Sequence, residues 1–257
     1  MALSWTLFFS CMLLSLSCFL SHTLTHTHSL THTTHTHTTL THTHTHTHTQ
    51  LIDEVFLWIQ SNNNNNNDDD KLQSRTIVFL EPSCGHGDVV WPLLQRLQEP
   101  NLLVSDYRIV ACDVDQNAVW HCQQQHPNTN DNDDDKISWI TGDFLELSSS
   151  SSSSTIGSWG TLTVCLGGPP YTTGAGSTRM ERNLPQQFFD RAVGEWQARL
   201  VAFFLPERYA TQPLQLPDGW VSKTHALQSS TFFFQGQVPV TQPSILQVCY
   251  CSVLENS

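Results

Sequence analysis

The first 70 residues contain no lysine and no arginine. All eleven basic residues lie at or beyond Lys71, together with eighteen of the 23 acids. That stretch therefore carries a net −7, or −3 once the four acids of DNDDD at 131–135 are set aside. A mildly acidic chain offers no electrostatic footprint for nucleic acid. A second absence is the C-x-x-C pair. Eight cysteines are present, but the nearest spacing, Cys249-x-Cys251, puts two thiols on one face of a strand and is not a zinc spacing. No structural metal is expected. Cys84, Cys112, Cys165, Cys249 and Cys251 fall in or beside apolar runs, which reads as small buried hydrophobes in a reducing compartment.

Long apolar runs are also scarce. Only residues 1–20, MALSWTLFFSCMLLSLSCFL, have the length and apolarity of a targeting core, and no basic residue precedes the run. A signal peptide or a short membrane anchor is one expectation there, and an intracellular protein of cytoplasm or nucleus is the other.

What is abundant is simple sequence. Ten of the fourteen histidines lie between His22 and His48, in a Thr-His tract at 21–49. SNNNNNNDDD at 61–70, NTNDNDDD at 128–135 and SSSSSSS at 148–154 are equally plain. None supplies apolar side chains to offset the entropy of ordering, so the tract at 21–49 is expected to be disordered and the others to be loops. Dense imidazoles do collect zinc, copper or nickel, but low-complexity filler is the plainer reading.

Between these tracts the text alternates. QLIDEVFLWIQS places Leu51, Val55, Trp58 and Ile59 on one helical stripe. From Arg75 the runs read strand, helix, strand, helix, strand, strand: RTIVFLE, DVVWPLLQRLQ, YRIVACD, DQNAVWHCQQQ, KISWITGD, TLTVCLGG. Between Asp143 and Thr161 a short turn or degraded helix is expected in place of a full crossover. NLPQQFFDRAVGEWQARL is an amphipathic helix leading into the buried strand RLVAFFLPERY, which Pro206 stops. QSSTFFFQGQ and SILQVCYCSVLE are then expected to pair as an antiparallel hairpin. The sum is an α/β fold: a seven-stranded, mostly parallel, doubly wound (Rossmann-like) sheet with a C-terminal antiparallel hairpin.

Chemistry-bearing residues gather at the strand ends. In EPSCGHGD the first strand ends in Glu81, and Gly85 and Gly87 let the backbone turn and approach a ligand at a helix N-terminus. Pro82 and the incomplete glycine trio separate it from the dinucleotide fingerprint, which argues against a nicotinamide oxidoreductase. Asp113, at the second strand's end, stands where an acid accepts hydrogen bonds from ribose hydroxyls, while Asp115 fits a helix N-cap better. Asp143 ends the third strand, where a carboxylate can accept from an adenine amine. After the fourth come Gly168, Pro169, Pro170 and Tyr171, a rigid extended turn with a flat aromatic face.

This ordered set resembles the class I S-adenosylmethionine-dependent methyltransferases. FLEPSCGHGD is similar to their first motif, ACDVD to the second, TGDFLEL to the third and GGPPY to the fourth, over Gln50 to Glu255. The combination of EP-x-x-G-x-G, GDFLEL and PPY is most similar to the amino-methyltransferases, including adenine-specific DNA and RNA enzymes. The resemblance implies a methyltransferase-like domain over 50–257 that uses S-adenosylmethionine as cofactor. Glu81, Gly85 and Gly87 would surround its methionine part, Asp113 its ribose, and Asp143 with Phe144 its adenine. Gly168, Pro169, Pro170 and Tyr171 would form the acceptor pocket for an amino group of a nucleobase in RNA or DNA. The family places Asn or Asp before the prolines, and this chain has Gly168. A protein amide or a small-molecule amine is the alternative acceptor, and a binding module that keeps the fold without the chemistry is the alternative class.

Overall fold

The computed structural model describes residues 47–62, 76–100, 102, 104, 106–125, 136–149, 161–170, 183–227, 231–234, 238–241 and 243–252. The segment 1–20 expected to be a signal or anchor, most of the Thr-His tract, most of the tracts at 61–70 and 148–154, all of 128–135, and Tyr171 lie outside these residues. Nine strands are described: β1 (Thr76–Glu81), β2 (Tyr107–Asp113), β3 (Ile137–Thr141), β4 (Thr161–Gly167), β5 (Leu200–Pro206), β6 (Trp220–Ala226), β7 (Thr231–Phe234), β8 (Val238–Thr241) and β9 (Ser244–Cys251). The described helices are α1 over residues 47–62, α2 (Val90–Leu97), α3 (Gln116–Gln125) and α4 (Leu184–Gly194).

Seven strands form one sheet in the order β3-β2-β1-β4-β5-β9-β6. The four pairings from β3 to β5 are parallel, and β9 runs antiparallel to both β5 and β6. Buried, β-branched and aromatic runs such as TIVFLE and LVAFFLP fit the centre of such a sheet, where both faces are covered. Alternate residues feed two cores. Ile77, Phe79, Ala202 and Phe204 pack with Leu51, Val55 and Phe56 of α1 and with Val90 and Leu93 of α2. Val78, Leu80, Val201 and Phe203 pack with Phe188, Phe189 and Ala192 of α4 and with Trp196. The result is three layers, with the period of two along each strand deciding which core a residue joins.

Two expectations are corrected. The run at 231–234 does not pair with SILQVCYC. It pairs with β8 in a separate two-stranded hairpin, and the sheet partners of β9 are β5 and β6. Six of the seven residues of β6 are polar, small or exposed at the sheet edge, so its sequence carries little strand signal. The strand is defined by its partner, from Trp220↔Cys251 to Ala226↔Ile245. The folded chain also begins earlier than residue 50. Thr47, His48 and Thr49 belong to α1, and His48 is buried with its ring 5.6 Å from that of Phe204. At the other tract, Ser149 N–H and the hydroxyls of Ser148 and Ser149 all donate to Glu195 Oε1, anchoring the first two serines.

Candidate functional site

The strand order reverses between β1 and β4, and in an open parallel sheet the crevice at that point is where ligands are held. EPSCGHGD fills it from the β1 side. Gly85 and Gly87 have φ of +50° and +84°, a region glycine enters without strain. At Gly87 packing adds its own demand: a Cβ would stand 2.6 Å from Trp91 Nε1 and 3.3 Å from Cys122 Sγ. The turn is stitched to β2. Cys84 N–H donates to the Cys112 carbonyl at 2.9 Å and Gly85 N–H to Asp113 Oδ2 at 2.8 Å.

Asp113 Oδ1 accepts from Asp115 N–H at 2.9 Å, and Asp115 in turn caps α3 by accepting from Asn117 N–H at 2.9 Å. The N-cap is therefore Asp115, as its position in the sequence suggests, and Asp113 stays at the strand tip. Among the described residues each Asp113 oxygen has one protein donor, which leaves a second lone pair for a ligand hydroxyl.

Glu81 is 3% exposed. Its Oε1 accepts from Ser83 N–H at 3.3 Å, and its Oε2 is buried with no hydrogen-bond partner among the described residues. Burial pushes this carboxyl well above the usual carboxylate range; the Ser83 N–H opposes the shift, and the charges of Asp113 and Asp88 add to it. None of the groups acting on it is a cation. Across the crevice Gly167, at φ +136°, lies against the carboxyl group: a Cβ there would fall 2.1 Å from Oε1. Gly167 opens the GGPPY motif, but the sequence reading assigns it no role. A glycine ending the strand beside an acid-terminated neighbour is the signal that could have found it.

The next residue, Gly168, gives its carbonyl to the Ser83 hydroxyl, which donates at 2.7 Å. Pro169 is buried and Pro170 exposed. Nothing in the sequence points to Ser83, because its partner is 85 positions away. At the third strand, Gly142 N–H donates to the Asp113 carbonyl at 2.9 Å, so the β2 and β3 tips are also tied. Asp143 is exposed and its Oδ1 accepts from Leu145 N–H at 2.9 Å.

Phe144 follows Asp143 at the strand tip. Its ring is 1% exposed, 5.2 Å from Phe188 and stacked on Trp196 at 5.8 Å and 18°. That ring belongs to the core, and only its main chain lies at the strand tip.

Thiols line the back of the site. Cys112 Sγ donates to the Pro82 carbonyl at 3.3 Å, and the Sγ atoms of Cys84 and Cys122 both reach the Gly85 carbonyl, at 3.8 and 3.5 Å. Burial pushes all three up, Cys122 to about 11, so they remain protonated donors and not nucleophiles. His86 is a turn residue whose carbonyl accepts from Trp91 Nε1–H at 3.2 Å.

The donor set fits S-adenosylmethionine on two observations. Among the described residues the charged groups of the site are carboxylates, and a bound sulfonium and α-ammonium would favour the ionised form of Glu81 and give its unpartnered oxygen a counter-charge. The positive-φ glycines keep the crevice floor free of side chains where a nucleoside must approach.

No protein-family model matches the sequence, and no curated protein matches it. Several solved structures are similar at the level of the chain trace. A candidate RNA methyltransferase from Pyrococcus horikoshii overlaps 82% of this chain and 83% of its own, at 13% identity and a TM-score of 0.47. The human methyltransferase 10 domain containing protein overlaps 79% and 82%, at 14% identity and a TM-score of 0.43. Magnesium protoporphyrin IX methyltransferase from Synechocystis PCC 6803, with bound S-adenosylmethionine, overlaps 79% of each chain at 14% identity and a TM-score of 0.40.

Proposed function

We propose that this chain is an S-adenosylmethionine-dependent methyltransferase whose acceptor is an amino group of a nucleobase in RNA or DNA. The observation that carries the reading is the tie between Asp113 and Gly85 across the β1 and β2 tips, beside a buried acid with an unpartnered oxygen. Asp113 would bind two vicinal hydroxyls with the lone pairs its protein donors leave free. Glu81 would face the cationic methionine part, and Asp143 would accept from the adenine amine. When bound, the cofactor supplies an electrophilic methyl group. Gly168, Pro169 and Pro170, with Tyr171 following, hold the acceptor at the other side of the crevice, so positioning provides most of the rate. With Glu81, Asp113 and Asp143 holding it, the cofactor would supply its methyl group to the lone pair of the acceptor nitrogen and remain as a neutral thioether, while one amine proton would pass to solvent. Cys84, Cys112, Cys122, Cys165, Cys249 and Cys251 are free and buried, which favours an intracellular setting.

The mildly acidic surface favours a second reading of the acceptor, a protein amide or a small-molecule amine. Calorimetry with S-adenosylhomocysteine tests the cofactor: binding to the native chain and none to Asp113→Ala is expected, and no binding to the native chain overturns the reading. Tritiated methyl transfer to RNA, DNA, protein extract and a metabolite pool then separates the acceptors. Cofactor binding without transfer to any pool would mark a binding module.

A further inference from the structure

Strand β5 ends on the same side of the sheet as β4, and the chain beyond it builds a second concavity. A 3₁₀ turn over Glu207–Ala210 leads into a loop that returns across the first turn of α4. Between them lies a cavity of about 420 Å³, lined by Asn183 and Gln186 at the start of α4 and by Arg208, Tyr209, Gln212 and Gln215. None of these residues belongs to the set at the β1–β4 crevice.

The walls are fixed in the empty protein. The Gln186 side chain, 9% exposed, pairs with the main chain of Gln215 as a second peptide group would, accepting from its N–H at 2.7 Å and donating to its carbonyl at 3.0 Å. The same Nε2 donates to Asp190 Oδ1 at 2.8 Å, so Gln186 is fully used in building the site. On the other wall the Arg208 carbonyl accepts from Gln212 N–H at 3.0 Å and from the Thr211 hydroxyl at 3.1 Å. Walls already in place cost a ligand little ordering.

The groups left over point to the occupant. Tyr209 is 8% exposed and lines the cavity, yet among the described residues its hydroxyl has no hydrogen-bond partner. A tyrosine hydroxyl buried to that degree usually finds one. The side-chain amides of Asn183, Gln212 and Gln215 are also uncommitted among the described residues. Arg208 is the one cation of the lining; its guanidinium lies over the Tyr209 ring at 5.4 Å, and no described carboxylate pairs with it. A planar fork of donors fits a phosphate. Amides that both donate and accept fit the edge of a nucleobase, which a bare anion would not require. The volume lies in the range of small-molecule sites and exceeds what a phosphate alone would fill.

We propose that this cavity is a nucleotide subsite: Arg208 and the Tyr209 hydroxyl hold the phosphate of one unit of the acceptor strand, and the amides of Asn183, Gln212 and Gln215 contact its base. The inference rests on the nucleic-acid reading of the acceptor and deepens it. Strand β5 neighbours β4, whose end carries Gly168, Pro169 and Pro170, so the unit seated here lies along the strand from the one that is methylated.

Calorimetry on the full chain, its crevice first saturated with S-adenosylhomocysteine, tests the subsite. Adenosine monophosphate should bind, with adenosine and inorganic phosphate each at least about tenfold weaker, since each lacks part of the contacts. Arg208→Gln should weaken the monophosphate about tenfold and Tyr209→Phe about threefold, with S-adenosylhomocysteine affinity and the thermal midpoint close to native. A single-stranded RNA trinucleotide should bind at least about tenfold tighter than the monophosphate and lose the same factor in Arg208→Gln. No binding of the monophosphate, equal binding of inorganic phosphate, or an unchanged affinity in folded Arg208→Gln overturns the subsite. A trinucleotide no tighter than the monophosphate overturns its place on the acceptor strand. Failure of S-adenosylhomocysteine to bind overturns the methyltransferase reading instead, and Arg208-dependent binding of the monophosphate would still establish the nucleotide site.

Discussion

Gly85 N–H donates to Asp113 Oδ2 at 2.8 Å, joining the glycine turn after β1 to the acid that ends β2. The same carboxylate holds Asp115 N–H with its other oxygen. Asp113→Ala removes both acceptors and is expected to cost about 1–3 kcal/mol of stability in addition to abolishing S-adenosylhomocysteine binding. Asp113→Asn keeps one carbonyl oxygen as an acceptor and should retain more of the stability while still weakening the ligand. Denaturant melts alongside calorimetry separate the two effects, and equal ligand affinity in all three chains would remove Asp113 from the site.

Glu81 gives the empty protein a pH dependence of definite sign. Its folded pKa is raised above the ordinary 4.5, mainly by burial, so its favourable contribution is complete below 4.5 and is lost as pH rises toward the folded value. Thermal midpoints taken from pH 4 upward should show Glu81→Gln gaining on the native chain as pH increases. A constant difference across the range would mean that the buried acid does not titrate in this way. A bound cation should shrink the effect, because it favours the ionised carboxylate.

Two adjacent glycines should respond in opposite ways. Gly167→Ala places a Cβ 2.1 Å from Glu81 Oε1 at a φ of +136° and is expected to cost about 2–5 kcal/mol. Among the described residues the Cβ of Gly168→Ala meets Phe204 alone, at 3.9 Å, and the variant should stay within about 1 kcal/mol of the native chain. Urea unfolding of the pair checks this directly, and similar losses at both positions would contradict the packing described here.

Phe144 tests where the ligand wall ends. Phe144→Leu should lower stability by about 1–2 kcal/mol, since the ring fills space between Phe188 and Trp196. Its affinity for S-adenosylhomocysteine should change by less than about threefold, because the ring does not line the crevice. A large loss of affinity in a stably folded variant would return the ring to the site.

The parts of this fold legible in the sequence are those whose signal is local. TIVFLE, YRIVACD and LVAFFLP are buried on both faces of a parallel sheet, so each reads as a continuous apolar run closed by an acid or a proline. Strand β6, WVSKTHA, has no such signal, because most side chains of this edge strand are exposed and its place is set by main-chain pairing to β9, with Trp220 alone packing into the core against Phe189. TFFF at 231–234 has the stronger strand propensity yet pairs with the short run that follows it. In the site, the glycines and acids were visible as motif letters. The Ser83 hydroxyl on the Gly168 carbonyl was not, since it depends on β1 and β4 lying side by side, and the start of α1 was hidden because His48 looks like one more unit of a repeat.

The placement of β9 bears on how the chain is made. It follows β6 in sequence but lies between β5 and β6. During vectorial synthesis the outer edge of β5 therefore stays unpaired, and β6 has no neighbour in the sheet, until residues 244–251 have left the ribosome. Until then β5, whose seven residues are all buried in the finished protein, presents an apolar open edge of the kind chaperones cover.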